Sequence, residues 1–546
     1  MKIRMTSLLV LFSLLGSLAF GSPKKQPLQH RLIHNCDGTI VLGNFLFNQR
    51  PLSLSDVNAY VDAYANTQVT TFMMCSGSDY FYYRSKYGRI FGDDRNGTLN
   101  CGKDTANYRY MVSYYRNHLN LEKEGTDIVD ACLRRAKEKK METFLSYRMN
   151  DLHFNDTTTR CPVEYTDFWL ANPQYWLNEN VGWKSNGAFD YAHKEVRDRK
   201  LDIITEQLEK YGDLIDGYDL DFMRFPVYFK SSECVKNAPL MTQLVMEIKG
   251  RIDQLSAKRG KKILLSARIP PDLDFCLQMG FDVKEWIRLG LLDFITIGVF
   301  FNGNAVLPVA KFKSDLDEPS IPVYGSTENG GYAPRQEFSH GIYRGMASHI
   351  LAQGGDGIYL FNYFFDGYIG KYNNTLHLEE GGYVCKVIMP QLLNEMGSLE
   401  TLRKRNKIYC MDDGSSAEFR FKPKTVLPLM LSAGNSSEAT IFIGDNTQKE
   451  VPKEAILFLR MDHPGIVEIF VNNQKVKIQK PEYVSLFDRG QNLRKNEIVY
   501  AFILPQSCLK QGDNIIRFHS LDGESLTVKR VELALKYGDV KTHGYF

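Results

Sequence analysis

A (β/α)8 barrel followed by an all-β sandwich is the fold the sequence predicts, on three observations. Between residues 38 and 396, eight short apolar runs alternate with amphipathic stretches, which is the repeat of a closed parallel barrel. Past a break of charge and Gly/Ser over 397–415, the helical period vanishes and short alternating runs with turn signals take over. The rival, a doubly wound open sheet, needs a phosphate-type glycine loop after an early strand, and the sequence has none.

Taken in order, the expected strands are Thr39–Leu42, Val69–Cys75, Glu142–Arg148, Ile215–Asp221, Lys262–Arg268, Leu292–Gly298, Ile321–Thr327 and Gly357–Phe361. The helices between them are expected over Leu54–Asn66, Thr126–Lys140, Lys194–Lys210, Met241–Arg259, Ala305–Phe312, Val283–Leu289, Arg335–Gln353 and Tyr383–Glu395. Two connections are unusually long, Gly77 to Leu121 and Asn150 to Tyr191. Both are aromatic-rich and both follow strands, so they belong on the C-terminal face where barrel active sites are built. The sandwich strands are expected at Glu418–Phe421, Thr440–Ile443, Ala455–Leu459, Val467–Val471, Ile498–Ile503, Asn514–Phe518 and Leu526–Leu535. This divides the chain into a leader over 1–21, a barrel over 22–400, a linker over 401–415 and a sandwich over 416–546.

The leader reading rests on Lys2 and Arg4 ahead of the apolar run Leu8–Phe20 and the small residues Ala19 and Gly21, the pattern of an export signal. That run is too short for a stable span, and no later stretch is long and apolar enough to make one. Removing 1–21, which carries Lys2 and Arg4 and no acid, takes the formal charge of +3 to +1. So nearly neutral a chain is a poor nucleic-acid binder. The 10 cysteines include no CxxC pair, so neither a zinc site nor a dense disulfide scaffold is expected. A bridge such as Cys101–Cys161 and buried free thiols both remain open. No metal and no cofactor is expected.

The chemistry concentrates in Asp216-Gly217-Tyr218-Asp219-Leu220-Asp221-Phe222-Met223-Arg224-Phe225-Pro226. On a strand, Asp219 and Asp221 share a face, with roughly 7 Å between their backbones. A strand covered on both sides should be apolar, so two carboxylates on one face are costly unless they serve a site. Asp216 has the opposite parity and should cap or pack against a helix. The same parity brings Ser146, Arg148 and Asn150 from the third strand to that mouth, with Ser266 and Arg268 from the fifth, Ser326 and Glu328 from the seventh and Asn362 from the eighth. Paired carboxylates with arginines and amides fit glycoside hydrolysis best: one protonates the leaving oxygen while the other attacks the anomeric carbon or activates water. Asp221 and Glu328, across the mouth from one another, are the first-choice pair. Asp219 with Asp221 is the alternative, and an ion pair of Asp219 with Arg148 or Arg268 is the purely structural reading. Arg148, Asn150, Asp151, His153, Arg224, Arg268 and Asn362 are the expected substrate-binding residues.

The run Phe189-Asp190-Tyr191-Ala192-His193-Lys194-Glu195-Val196-Arg197, Tyr211 and the Asp216–Pro226 motif resemble exported bacterial glycosyl-hydrolase-like family 10 proteins. Arg148–His153 and Gly355–Asn362 resemble segments of the same group. The resemblance, over roughly 38–396, implies a TIM barrel directed at polysaccharides. The fourth strand is also similar to the DGxDxDxE signature of glycoside hydrolase family 18, with Asp216, Asp219 and Asp221 matching and Met223 in place of the catalytic Glu. The expected function is therefore an exported glycoside hydrolase acting on a poly- or oligosaccharide, and the alternative is a glycan-binding barrel without turnover.

Overall fold

The computed structural model of the chain describes residues 30–42, 51–93, 105–155, 165–182, 184–223, 225–299, 306–318, 320–328, 331–332, 335–336, 340–361, 363, 392–412, 426–477, 497–521 and 525–538. Eight parallel strands close on themselves: β1 Arg31–Cys36, β2 Thr71–Cys75, β3 Glu142–Arg148, β4 Gly217–Asp221, β5 Leu264–Ile269, β6 Phe294–Ile297, β7 Val323–Glu328 and β8 Gly357–Phe361. Each pairs with the next in the chain, and β1 closes the ring against β8, from Arg31 opposite Gly357 to Asn35 opposite Phe361.

Alternate residues fill the interior. Ile33, Met73, Phe144, Phe294, Tyr324, Tyr359 and Phe361 form one buried cluster inside the ring, while the other strand faces pack outward against the helices. The lower end is closed by a charge pair: Arg31 donates to both oxygens of Glu142 at 2.7 and 3.0 Å and to the Tyr324 hydroxyl at 2.8 Å. The Thr71 hydroxyl donates to the same carboxylate at 2.7 Å. Gly217 follows from this packing. A Cβ there would lie 2.1 Å from the Phe144 ring, so the inward position opening β4 must be bare. Gly217→Ala is expected to destabilise by about 1–3 kcal/mol, the usual cost of overpacking a full core, as read from urea unfolding; an unchanged midpoint would refute the packing account.

Several expected elements move. The first strand is Arg31–Cys36, and Thr39–Leu42, read as that strand, is one helical turn. The first long connection holds a 19-residue helix, Thr105–Lys123. The second holds short helical turns at Leu152–Phe154, Asp167–Ala171, Pro173–Tyr175 and Ser185–Gly187. The helix expected from Met241 begins at Cys234, and Pro239 stands inside it, where the ring removes one i→i−4 backbone hydrogen bond. The leader, Cys101, Cys161, the strand Glu418–Phe421 and most of Tyr383–Glu395 lie outside the described residues. Among the described residues, Cys36, Cys75, Cys132, Cys234, Cys276, Cys410 and Cys508 are buried free thiols, and no helix is long and apolar enough to cross a membrane.

The stretch 401–415, expected as a linker, contains the strand Lys407–Asp412. It pairs antiparallel with Leu526–Lys536, which also pairs with Glu454–Met461 and Leu429–Leu431, and Ile498–Ile503 adds to Glu454–Met461. A second sheet runs Ser436–Ile443, Gly512–Ser520, Val467–Val471, Gln474–Val476. The two share a core of Tyr409, Met411, Leu457, Leu459, Val531 and Leu533 against Ile441, Ile443, Ile469 and Ile516, which makes the sandwich. The opposite face of the first sheet, with Ile408, Cys410, Ile456, Phe458 and Ala534, joins the barrel core instead. It rests on helix His340–Ala352, where a Cβ on Gly345 would meet the Ile408 carbonyl at 2.0 Å and the Tyr409 hydroxyl hydrogen-bonds Ser348 at 2.9 Å.

Candidate active site

At the C-terminal end of the barrel, β4 sits between β3 and β5 in a register that pairs Asp219 with Ser146 and Ser266, and Asp221 with Arg148 and Arg268. All six side chains take the inward parity. Asp219 is the deeper. It is fully buried and accepts from the Ser146 hydroxyl at 2.9 Å, the Ser266 hydroxyl at 2.7 Å and the Tyr359 hydroxyl at 3.4 Å. Burial, and then the neighbouring charge of Asp221, push its carboxyl up to about 6. The structural expectation of an ion pair with Arg148 or Arg268 is thus replaced by a cradle of hydroxyls.

Asp221 is the carboxylate that meets a cation. Nη1 of Arg268 donates to its two oxygens at 3.1 and 3.2 Å, and Oδ1 also accepts from the Met223 amide at 3.1 Å. The guanidinium lies 3.8 Å from the centre of the Phe361 ring, so Arg268 crosses the mouth from β5 to β8 with an aromatic face behind it. Both members of the ion pair are 1 % exposed or less.

A second string of charge runs along the β3 side. Arg148 donates to Oδ2 of Asp151 at 3.2 Å and lies 3.8 Å from Asp37, which follows β1. Asp151 accepts from the backbone N–H of His153 at 3.1 Å and hydrogen-bonds the Nδ1 of the same residue, so it caps the turn Leu152–Phe154 and orients the imidazole together. The ring meets Phe225, in the segment after β4, edge-on at 5.4 Å. Its side chain keeps 37 % exposure while that of Asp151 has 1 %. Asn150 is turned to the loops, where its amide donates to the carbonyls of Phe189 at 3.2 Å and Val227 at 2.5 Å. Asp79, Asn150, Asp151, Asn155, Thr166, Trp169 and Phe189 line a small pocket beside this string. Below it, Lys200 is fully buried and donates to Asp79 at 2.8 Å, and burial holds its ammonium below the ordinary range.

Glu328 ends β7, opposite Phe361 of β8, and β7 stands three strands round the ring from β4. Arg224 and Asn362 lie outside the described residues. Asp216, as its parity requires, faces away from the interior: it accepts from the Thr143 amide at 3.1 Å and pairs with Lys261 at 2.5 Å. Asp37, Phe361 and the Asp79–Lys200 pair escaped the sequence reading. Asp37 lies just ahead of Thr39–Leu42, the stretch whose composition reads as the first strand, so the pattern does not mark it. Lys200 did leave a signal, since it interrupts the buried stripe Val196, Ile203, Ile204, Gln207 of its helix. Among the described residues no group of three His, Cys, Asp or Glu side chains is placed to hold a metal ion.

The fold is therefore a closed parallel barrel with a polar, carboxylate-bearing mouth. No protein-family model and no curated protein matches the chain, so the family 10-like and family 18-like resemblances of the β4 motif have no such match behind them. Solved structures match it distantly. They include a Paenibacillus cycloisomaltooligosaccharide glucanotransferase complexed with cycloisomaltoheptaose, at 9 % identity and a TM-score of 0.34, covering 94 % of this chain and 58 % of that one. The PgaB (BpsB) glycoside hydrolase domain from Bordetella bronchiseptica matches at 9 % identity and 0.40, covering 68 % and 99 %. A family GH18 chitinase from Chromobacterium violaceum matches at 10 % identity and 0.35, covering 94 % and 89 %. This chain spans little more than half of the first of these proteins, and the chemistry of the mouth is read from its own side chains.

Proposed function

We propose that this protein is a glycan-active barrel enzyme that hydrolyses glycosidic bonds in a poly- or oligosaccharide outside the cytoplasm. The observation that carries the reading is Asp221, an inward carboxylate at the end of β4 held by Arg268. Behind it a second carboxyl, Asp219, is raised to about 6. The two acids stand two residues apart in unlike surroundings, one on a guanidinium and one in a cradle of hydroxyls, the kind of arrangement that gives two carboxyls of one mouth different roles. In this reading Asp221 faces the positive charge that develops on the sugar ring, Glu328 protonates the leaving oxygen, and Asp219 tunes Asp221 from below. Arg148 and Asp151 hold the β3 side of the cleft.

The test is release of reducing ends from a panel of neutral, amino and acidic glycans by wild type, Asp221→Asn and Glu328→Gln. Loss of at least about a hundredfold in kcat is expected for each variant, in line with removal of a positioned acid or charge. A second reading, binding without turnover, is favoured by Met223, which takes the inward position two residues past Asp221 where the family 18 signature has its Glu. Retention of a glycan by wild type with no turnover anywhere on the panel would decide for it.

A further inference from the structure

The small pocket beside the Arg148–Asp151 contact has hydrogen-bonding atoms left open. Asp79 is 5 % exposed, and its Oδ2 accepts from the buried ammonium of Lys200 at 2.8 Å. Its Oδ1 is buried and has no hydrogen-bond donor among the described residues, since Nε of Arg199 stops 3.7 Å away. Asn155, 8 % exposed, lines the same pocket. Its Nδ2 turns to the Lys184 carbonyl at 3.5 Å, and its Oδ1 is a second buried acceptor without a donor among the described residues. The amide of Asn150 on the same wall supplies neither, because its hydrogens go to the carbonyls of Phe189 and Val227.

A buried acceptor without a donor loses free energy that a suitable guest would recover. The charges around the pocket say which guest. Asp79 already faces Lys200 and Arg199, and Asp151 faces Arg148 at 3.2 Å, so each carboxylate has its cation and an ammonium would add a surplus one. A carboxylate or sulfate would press its oxygens on two open acceptors. What remains is a neutral donor, and the pocket has room for a hydroxyl but not for an acetamido group. Trp169 and Phe189 give it apolar walls for the carbon that carries the hydroxyl, and the indole N–H is already on the Gly187 carbonyl at 2.7 Å.

We propose that this pocket is a subsite of the glycan cleft that takes one hydroxyl of a bound sugar, with Asn155 Oδ1 as its acceptor. This rests on the glycan-directed reading above and holds whether or not the sugar is turned over. Asn155 is the acceptor because its Oδ1 has no hydrogen bond among the described residues, whereas Asp79 Oδ1 has the charge of Arg199 at 3.7 Å. The sugar ring stays outside the pocket, and only the hydroxyl and its carbon enter.

The pocket joins the mouth through Asp151. That residue lines the pocket and accepts from Arg148, and Arg148 stands level with Asp221 in the pairing of β3 with β4. A sugar on the β3 side of Asp221 therefore has this pocket beside it. A site that hydrogen-bonds a sugar hydroxyl rejects the analogue lacking it, because the buried acceptor is then left unpaired.

The experiment measures binding of methyl glucoside, methyl galactoside and methyl N-acetylglucosaminide, each beside its monodeoxy analogues, to wild type and Asn155→Leu by ligand-observed NMR titration. Leucine is close to asparagine in size and has no acceptor, and circular dichroism checks the fold. For the sugar bound best, removal of one particular hydroxyl should weaken binding about tenfold or more, and removal of any other less than about threefold. Asn155→Leu should bind the parent and that analogue within about threefold of one another. Should the variant not fold, a crystal structure of wild type with that sugar decides, with its hydroxyl on Asn155 Oδ1 expected. Equal binding of all the analogues, discrimination that survives in folded Asn155→Leu, or an ordered water alone in the pocket of the sugar complex overturns the subsite. Discrimination without turnover on the glycan panel keeps the subsite and sinks the hydrolase, and turnover without discrimination does the reverse. Neither binding nor turnover sinks both.

Discussion

Replacing Arg268 by leucine is expected to destabilise the protein by about 3–5 kcal/mol, the cost of leaving one member of a buried ion pair uncompensated. The guanidinium is wholly buried and is the cation on both Asp221 oxygens, and it lies on the face of Phe361. Leucine removes the charge and the contact with the ring together. The double variant Arg268→Leu/Asp221→Asn should recover most of the loss, because the amide oxygen still accepts from the Met223 amide and no charge is stranded. Urea unfolding of the four proteins in the cycle reads the coupling. If Arg268→Leu alone stays within about 1 kcal/mol of wild type, the pair is not the buried contact described here.

The second large effect is a pH dependence centred on Asp219. Its carboxyl is raised from the ordinary 3.8 to about 6. Between those two values the folded protein holds a proton that the unfolded chain has released, so stability falls as pH rises through that window. At 1.36 kcal/mol per pH unit the contribution amounts to about 3 kcal/mol, fully lost above about 6. Asp219→Asn keeps an amide in the cradle of Ser146 and Ser266 and has nothing to titrate. Relative to wild type it should gain about 3 kcal/mol between pH 3.5 and pH 8, measured as the difference between two unfolding curves against pH. A flat difference across that range would mean that the Asp219 carboxyl does not keep its proton to higher pH in the folded protein. The same variant is expected to lose activity, since Asp219 sits behind Asp221.

What could be read from the residues and what could not separate along physical lines. β3 and β8 come out with their expected bounds because Glu142–Arg148 and Gly357–Phe361 carry the apolar, β-branched or aromatic residues that a buried strand needs. β1 did not, because Arg-Leu-Ile-His-Asn-Cys mixes polar and apolar residues without alternation. Its polar groups are paid for by partners over a hundred residues away, such as Glu142 and Tyr324 for Arg31. The helix Thr105–Lys123 was hidden by its tyrosines and asparagines, which are indifferent helix formers that tertiary packing overrides.

At the mouth, parity alone placed Asp219, Asp221, Ser146, Ser266, Arg148 and Arg268 on one face, and the register agrees. Parity could not say which arginine would reach which acid. The register sets both arginines level with Asp221, and Arg148 turns instead to Asp151 in the loop that follows its own strand. Nor could it show Phe361 behind Arg268, since the eighth strand's inward residues are fixed by where its pleat begins.

The closing contact of the ring has a consequence for how the chain is made. β1 ends at Cys36, and its partner β8 is complete only at Phe361. At 5–20 residues per second, synthesis separates the two by roughly a quarter of a minute to a minute. In any sheet formed before β8 is made, β1 is an open edge, with Arg31, His34 and Asn35 along it. Charged and polar residues on an edge discourage pairing with a foreign strand. The same irregular composition that breaks the alternation of β1 therefore makes it a poor template for a foreign strand until β8 covers it.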